Sequence, residues 1–172
     1  SASLSIQKFY KTNLIYGYGR TEDIPYGGLL NLTAGKEINE FKHRIYTGIS
    51  LSTGHSLKGI GYLYSSAGLS TFLNDGRTEQ GIMLFRTSYV SNLLYPGRFR
   101  MRNFVKIDFT RGFGRYSDEY LSFERENGFS GFRNDSLRTA RQRLSVDLES
   151  VLFSPRKLYG FRFAYFAFAD LG

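Results

Sequence analysis

The chain has 172 residues and a formal net charge of +8, and it contains 16 Phe, 13 Tyr and 19 Gly but neither Cys nor Trp. This length predicts a single domain, and the lack of cysteine excludes a disulfide scaffold, a thiolate metal site and a thiol nucleophile. The longest segment free of acidic, basic and histidine residues, 59–74, is rich in Gly, Ser and Thr, which excludes a helical membrane span. Because the chain begins with Ser1 and no apolar leader follows, we expect a mature polypeptide or part of one.

Alternation of apolar and polar residues with a period of two predicts an all-β antiparallel meander. Strands are predicted to begin near Leu4, Ile24, His43, Gly59, Glu79, Gly97, Asp118, Arg138 and Leu158. Turns are predicted at 74–76, 95–97 and 154–156, where Asn, Asp, Gly or Pro occur. Most of these nine strands are longer than those of a soluble sandwich. A strand tilted across a bilayer needs about 9–11 residues, so the pattern favours part of a transmembrane β-barrel.

Two segments have one apolar and one charged face. In 98–111, Phe99, Met101, Val105, Ile107 and Phe109 oppose Arg98, Arg100, Arg102, Lys106, Asp108 and Thr110. In 141–152, Gln142, Leu144, Val146, Leu148, Ser150 and Leu152 oppose Arg141, Arg143, Ser145, Asp147, Glu149 and Val151. The segment 43–53 is similar but weaker, with Ile45, Ile49 and Leu51 set against Tyr46, Gly48, Ser50 and Ser52. Successive side chains of a strand point to opposite sides, so each segment predicts a two-faced strand.

Alternation alone does not decide which face meets water, because a soluble sheet and a membrane barrel share it. Most tyrosines fall near predicted strand ends, as in the aromatic belts of membrane proteins, which favours the barrel. The lumen would then carry a basic wall of Arg98, Arg100, Arg102, Lys106 and Arg143. Such a wall either attracts anionic groups such as lipopolysaccharide phosphates or forms stabilising salt bridges with the lumenal acids, and we favour the salt bridges.

Catalytic and nucleic-acid-binding functions receive little support. His43 and His55 are the only histidines and lack a second ligand at metal-binding spacing, so we expect no metal site and no cofactor. A lipid hydrolase on the barrel wall would pair one of them with Ser50 or Ser52, but solvated histidines are the favoured interpretation. The sequence pI of about 9.7 is compatible with nucleic-acid binding, yet the charges are dispersed and no motif accompanies them. We therefore predict a non-enzymatic protein without a nucleic-acid partner.

A loop is predicted at about 127–137, between two strongly patterned strands. It carries Gly128, Phe129, Ser130, Gly131, Phe132 and Arg133 and lacks the period of two. Phenylalanines are unfavourable in open water, so Phe129 and Phe132 are expected to pack inside the lumen rather than on the surface.

Three segments in the C-terminal third, 126–133, 137–153 and 163–172, resemble the BamA/TamA-like superfamily of outer-membrane assembly and translocation barrels. In that family a surface loop with an Arg-Gly-aromatic tip folds into the lumen, the next strand bears a glutamate, and the following strand ends in aromatic-x-Asp-x-Gly. Gly131 and Phe132 match the loop tip, Glu149 matches the strand glutamate, and Phe168, Asp170 and Gly172 match the last motif. More diffusely, 19–27 resembles barrels of the Bacteroidetes lineage.

The resemblance implies a bacterial outer-membrane protein in which residues 1–172 form one barrel segment, about nine strands of a sixteen-strand plan. It implies insertion or translocation of outer-membrane components, with membrane lipid, lipopolysaccharide, client outer-membrane proteins and accessory subunits as partners. Glu149 and Asp170 would be the lumenal acids that pair with the loop arginine. Ser130 stands at the position of that arginine, and Arg133 is the candidate replacement. A passive pore or structural barrel is the alternative.

Overall fold

The computed structural model describes residues 1–14, 21–38, 40, 43–116 and 140–172, which form one antiparallel sheet of eight strands. The strands are β1 (Ala2–Asn13), β2 (Thr21–Ile38), β3 (His43–Leu57), β4 (Gly61–Asn74), β5 (Arg77–Ser91), β6 (Arg100–Phe113), β7 (Gln142–Leu158) and β8 (Phe161–Leu171). They pair in chain order, which confirms the predicted all-β antiparallel meander. The strand predicted near Asp118 lies outside the described residues. Among the described residues, no helix has the length and hydropathy to cross a membrane.

Tight turns set the register of two hairpins. Asp75 and Gly76 connect β4 to β5 with φ of 47° and 78°, the positive values that a two-residue hairpin turn requires at both positions. This confirms the turn predicted at 74–76. The turn predicted at 154–156 is wrong, because these residues lie within β7, where the register shifts between Phe153 and Lys157. The chain reverses instead at Tyr159 and Gly160, with φ of 50° and 84°.

The strand register joins the two-faced segments into continuous surfaces. Lys106 on β6 lies opposite Asp147 on β7, whereas Ile107 lies opposite Val146. Directly opposed residues of an antiparallel pair share a face, so the charged faces of β6 and β7 adjoin and their apolar faces adjoin. The other strand pairings continue this register, so the side chains of each strand alternate between two faces that extend over the whole sheet.

Hydrogen bonds that skip over strands show that the sheet is curved. Tyr62 on β4 reaches across β3 and donates to the backbone oxygen of Pro25 on β2, at 2.7 Å. Arg102 on β6 donates to the backbone oxygen of Leu14, just beyond β1, at 2.9 Å. Four strands separate β1 from β6 in the sheet, so only strong curvature brings these groups together. Both donors belong to the face that carries Lys106 and Asp147, and we call this surface the concave face.

The interior of this curved sheet is polar. Buried residues of the concave face include Arg44, Arg102, Asp108, Thr110 and Ser145. Exposed residues of the opposite face, which we call the outer wall, include Leu4, Ile6, Leu32, Ile45, Ile49, Leu51, Leu69, Met83, Phe85, Leu144, Leu148, Tyr165 and Leu171. The separation has exceptions, since Phe153 is buried on the concave side at 4% exposure, and Leu29, Leu84, Phe166 and Phe168 also face that side. Burial is thus inverted relative to a soluble sheet, whose covered face is apolar.

Candidate functional site

The candidate site is the concave face, and its charged half spans β5 to β7. Asp108 is 4% exposed, and its carboxylate accepts a hydrogen bond from Nε of Arg86. Lys106 Nζ lies 3.0 Å from Oδ2 of Asp108 and 3.7 Å from Oδ2 of Asp147. A buried carboxylate is costly without cations, and here β5 and β6 each supply one. These residues form a continuous ion-pair network across three strands.

Arg102 makes a second buried contact, at the end of the sheet that carries the β5–β6 connection. Its guanidinium donates to the backbone oxygens of Leu14, Asn13 and Ser91 at 2.9, 2.7 and 2.6 Å, and to Oγ1 of Thr12 at 3.2 Å. Arginine presents five donors in a planar fork, which suits this convergence of acceptors. The sequence placed Arg102 in a basic wall facing acids, but in the structure it ties the end of β1 to β6 through backbone oxygens.

A third cluster surrounds Arg44 near the start of β3. Its guanidinium donates to Oε2 of Glu37 at 2.8 Å, to Oε2 of Glu79 at 3.3 Å and to Oε1 of Gln80 at 2.7 Å. It also lies over the ring of Phe72, with 4.3 Å between Cζ and the ring centroid. No local sequence pattern predicts this cluster, because its members come from four strands. Its only sequence signal was the alternation in β3, which places Arg44 on the face of Tyr46 and Gly48.

The two predicted lumenal acids lie close to each other on the concave face. Glu149 on β7 is opposite Phe168 on β8, and Asp147 is opposite Asp170. Phe168 stacks with Phe166, with 6.5 Å between ring centroids, and both rings are mostly exposed. β8 therefore contributes one acid, Asp170, and two aromatic rings, Phe166 and Phe168, to this surface. The loop residues Gly128, Phe129, Ser130, Gly131, Phe132 and Arg133 lie outside the described residues, and with them the predicted packing of the loop in the lumen and the predicted pairing of Arg133 with Glu149 and Asp170.

The remaining predicted basic residues occupy different environments. Arg143 on β7 lies opposite Thr110 on the concave face, next to the charged network. Arg100 is the first residue of β6 and is exposed. Arg98 precedes the strand, in the turn closed by the hydrogen bond from Phe99 N to Pro96 O at 3.2 Å. The predicted wall is therefore not continuous, because Arg98 and Arg100 belong to the exposed end of the sheet.

Between the Arg44 cluster and Tyr62, the concave face of β2 to β4 is formed mainly by small uncharged residues, and we call this part the small-residue half. Its members include Asn31, Thr33, Gly35, Gly48, Ser50, Ser52, Gly54, Ser66, Gly68 and Ser70. Nδ2 of Asn31 donates to Oγ of Ser50 at 3.4 Å. Tyr62 extends over Gly54, where an added Cβ would lie 2.4 Å from the tyrosine hydroxyl oxygen. Small side chains thus leave room for the longer ones that cross the strands.

The histidines and serines considered for hydrolysis lie on opposite faces of β3. His43 and His55 are on the same side of β3 as Ile49, which belongs to the outer wall, whereas Ser50 and Ser52 are on the concave face. The Nε2 atom of His55 lies 2.8 Å from Oγ1 of Thr53. The proposed histidine–serine pairing is therefore wrong. Within the described ranges, no group of three or more His, Cys, Asp or Glu residues could hold a metal ion.

Comparison with known proteins adds no assignment: no family model, no curated protein and no solved structure matches the chain.

Proposed function

We propose that the chain forms part of an outer-membrane β-barrel of the BamA/TamA-like kind, which acts in insertion or translocation of outer-membrane proteins or other envelope components. The observation that carries the membrane part of this proposal is the inverted burial of the sheet. Asp108 is 4% exposed in the interior, whereas Leu144 is 51% exposed on the outer wall. A barrel in lipid has this distribution, with an apolar exterior and a polar lumen.

The outer wall has the dimension that a bilayer requires. Along β6 it runs from Met101 to Phe109, and along β7 it runs from Leu144 to Leu152. Each run has nine residues, matching the about 9–11 that a tilted strand needs to cross the hydrocarbon. The two polar residues of these runs form a hydrogen bond with each other, in which Oγ of Ser150 donates to Oδ1 of Asn103 at 2.7 Å. Hydrocarbon tolerates a polar pair of this kind better than an isolated polar group.

The edges of the sheet support a larger barrel. Within the described residues, β1 and β8 each pair with one strand and present a second backbone edge. An unpaired edge is unfavourable in lipid, so further strands complete the barrel in our proposal, in line with a sixteen-strand plan. In barrels of this kind, a weak seam between the first and last strands would pair with the edge strand of a client protein and so lower its cost of insertion. In our proposal, both seam strands are among the further strands that complete the barrel. Clients, lipopolysaccharide and accessory subunits are the proposed partners.

Single-cysteine labelling tests the membrane arrangement, because the chain has no native cysteine. Spin labels are placed at Val146→Cys and Leu148→Cys on the outer wall and at Asp147→Cys and Glu149→Cys on the concave face, in the full-length protein in lipid vesicles. We expect labels at 146 and 148 to collide with dissolved oxygen and not with a water-soluble nickel chelate. Labels at 147 and 149 should show the reverse. Shielding of 146 and 148 from both reagents would contradict a lipid-facing wall.

A second experiment separates assembly from passive conduction. We expect Gly131→Ala and Phe132→Ala, in the predicted loop, to reduce assembly of client outer-membrane proteins in cells that depend on this protein. Ser136→Ala in the same loop serves as the control. Normal client assembly in both variants, together with high conductance of small ions in planar bilayers, would instead favour a passive pore.

A further inference from the structure

One end of the sheet carries a concentration of basic residues. The turns β3–β4, β5–β6 and β7–β8 lie together at this end, because alternate connections of an antiparallel meander lie at the same end of the sheet. The end of β1 and the start of β2 lie at this end too, and there β2 carries the acids Glu22 and Asp23. The residues that form what we call the basic rim are Lys58, Arg98, Arg100, Arg156, Lys157 and Arg162, all of them exposed. The segments that carry them, 54–62, 92–100 and 154–163, contain no acidic residue. The rim is therefore cationic across three successive hairpins.

The opposite end of the sheet has mixed charge. Its described residues include the bases Lys36, Arg44, Arg77 and Arg111 and the acids Glu37, Glu40, Asp75 and Glu79. Arg44 is neutralised there by Glu37 and Glu79. The basic rim is thus a local feature of three hairpins at one end and does not follow simply from the net charge of +8.

Exposed aromatic and aliphatic side chains accompany the basic rim. Tyr159 is 92% exposed at the β7–β8 turn, and Phe161, Tyr95, Ile60 and Leu158 are also exposed at this end. Aromatic rings beside lysine and arginine are typical of residues at the level of lipid headgroups, where the rings contact the acyl boundary and the cations contact phosphates. A purely aqueous end of the molecule would not favour these rings.

We propose that the basic rim binds the headgroups of anionic phospholipids in the leaflet that meets this end of the sheet. Successive turns at this end are two strand spacings apart, about 10 Å, so the charges form a line rather than a pocket. A line of cations suits a row of separate headgroups better than one compact ligand. Each basic residue held at an anionic membrane surface strengthens the association about fivefold. This inference rests on the proposed membrane barrel.

Lipid selectivity of the reconstituted full-length protein tests the inference. Spin-labelled phosphatidylglycerol and spin-labelled phosphatidylcholine are compared in phosphatidylcholine bilayers by the fraction of each that the protein immobilises. We expect the wild type to prefer phosphatidylglycerol about fivefold at low salt, and to lose most of this preference at 1 M salt, where the Debye length is about 3 Å. The triple variant Lys58→Gln, Arg98→Gln, Arg156→Gln should approach equal association.

The matched control removes three charges at the other end, by Lys36→Gln, Arg77→Gln and Arg111→Gln, and should keep the wild-type preference. Equal losses in both triple variants, or none in the rim variant, would overturn the inference. If the rim triple variant fails to fold, the single variant Lys58→Gln should still lower the preference measurably. Immobilised phosphatidylcholine without selectivity would refute only the basic rim, whereas no immobilised lipid at all would refute the membrane barrel itself.

Discussion

The two halves of the concave face contain different kinds of polar residue, ion pairs in one and small uncharged side chains in the other. In the charged half, Asp108 lies between Arg86 and Lys106, and the network continues to Asp147. In the small-residue half, serines and glycines leave space, and Tyr62 crosses β3 to reach β2. In the charged half, ion pairs join the neighbouring strands β5, β6 and β7, whereas in the small-residue half the lack of bulky side chains lets Tyr62 contact the strand beyond its neighbour. The charged half should therefore respond to loss of a charge, and the small-residue half should respond to added volume.

Arg102→Met should have the largest effect among single substitutions. It removes the donors to the buried carbonyls of Leu14 and Ser91 and to the part-buried carbonyl of Asn13, and an unsatisfied buried carbonyl costs about 1–3 kcal/mol. We expect the free energy of unfolding to fall by about 3–5 kcal/mol, as measured by urea unfolding in lipid vesicles. Arg100→Met, at an exposed position on the same strand, should change it by less than about 0.5 kcal/mol. Equal effects would show that Arg102 does not tie β1 to β6.

Arg86→Met tests the ion-pair network of the charged half. It leaves the buried carboxylate of Asp108 with Lys106 as its remaining cation, and we expect a loss of about 2 kcal/mol in unfolding free energy. The double variant Arg86→Met, Asp108→Asn should recover part of this loss, because the uncompensated charge is removed. Strictly additive losses in the double-mutant cycle would exclude coupling between Arg86 and Asp108.

Gly54→Ala tests the need for space in the small-residue half. The added Cβ would lie 2.4 Å from the Tyr62 hydroxyl, so the tyrosine must move away from Pro25. We expect a loss of about 1–2 kcal/mol in unfolding free energy, with partial recovery in the double variant Gly54→Ala, Tyr62→Phe. Gly35→Ala, on the same face but with no atom within 4 Å of the added Cβ, is the control. A similar loss at both glycines would refute steric crowding as the cause.

Ser50→Ala should have the smallest effect. It removes the long hydrogen bond from Asn31, at 3.4 Å, and we expect a change of about 0.5 kcal/mol or less. Ser150→Ala on the outer wall breaks a 2.7 Å bond to Asn103 and should cost about 1 kcal/mol in vesicles. A larger effect at Ser50 than at Ser150 would mean that uncharged pairs of the concave face matter more than their geometry indicates.

Local patterns predicted most of the sheet. The alternation in 98–111 and 141–152 gave the two faces of β6 and β7, and Asp75-Gly76 gave the turn between β4 and β5, because each of these features depends on neighbouring residues. The misplaced turn at 154–156 has a physical reason as well. Pro155 usually indicates a turn, but a proline is also tolerated at an irregularity within a strand, and the register of β7 shifts at this point.

The candidate site was predicted only in part, because charge pairing depends on register and curvature. The alternation within each segment assigns Lys106 and Asp147 to a charged face, but their pairing follows from the alignment of β6 with β7. Glu37, Arg44 and Glu79 come from three different strands and meet only in the folded sheet. No pattern within a single strand encodes such a meeting.

The sequence by itself determined that this chain alternates between an apolar and a polar face, since side-chain direction in a strand follows from backbone geometry. Only the tertiary structure decided which face lies inside. Curvature is a property of the whole sheet, and it brings Arg102 to Leu14 across 88 positions of the chain. That curvature covers the charged residues and leaves Leu144 and Leu148 at the outer surface, because a sheet can enclose only the face toward which it bends.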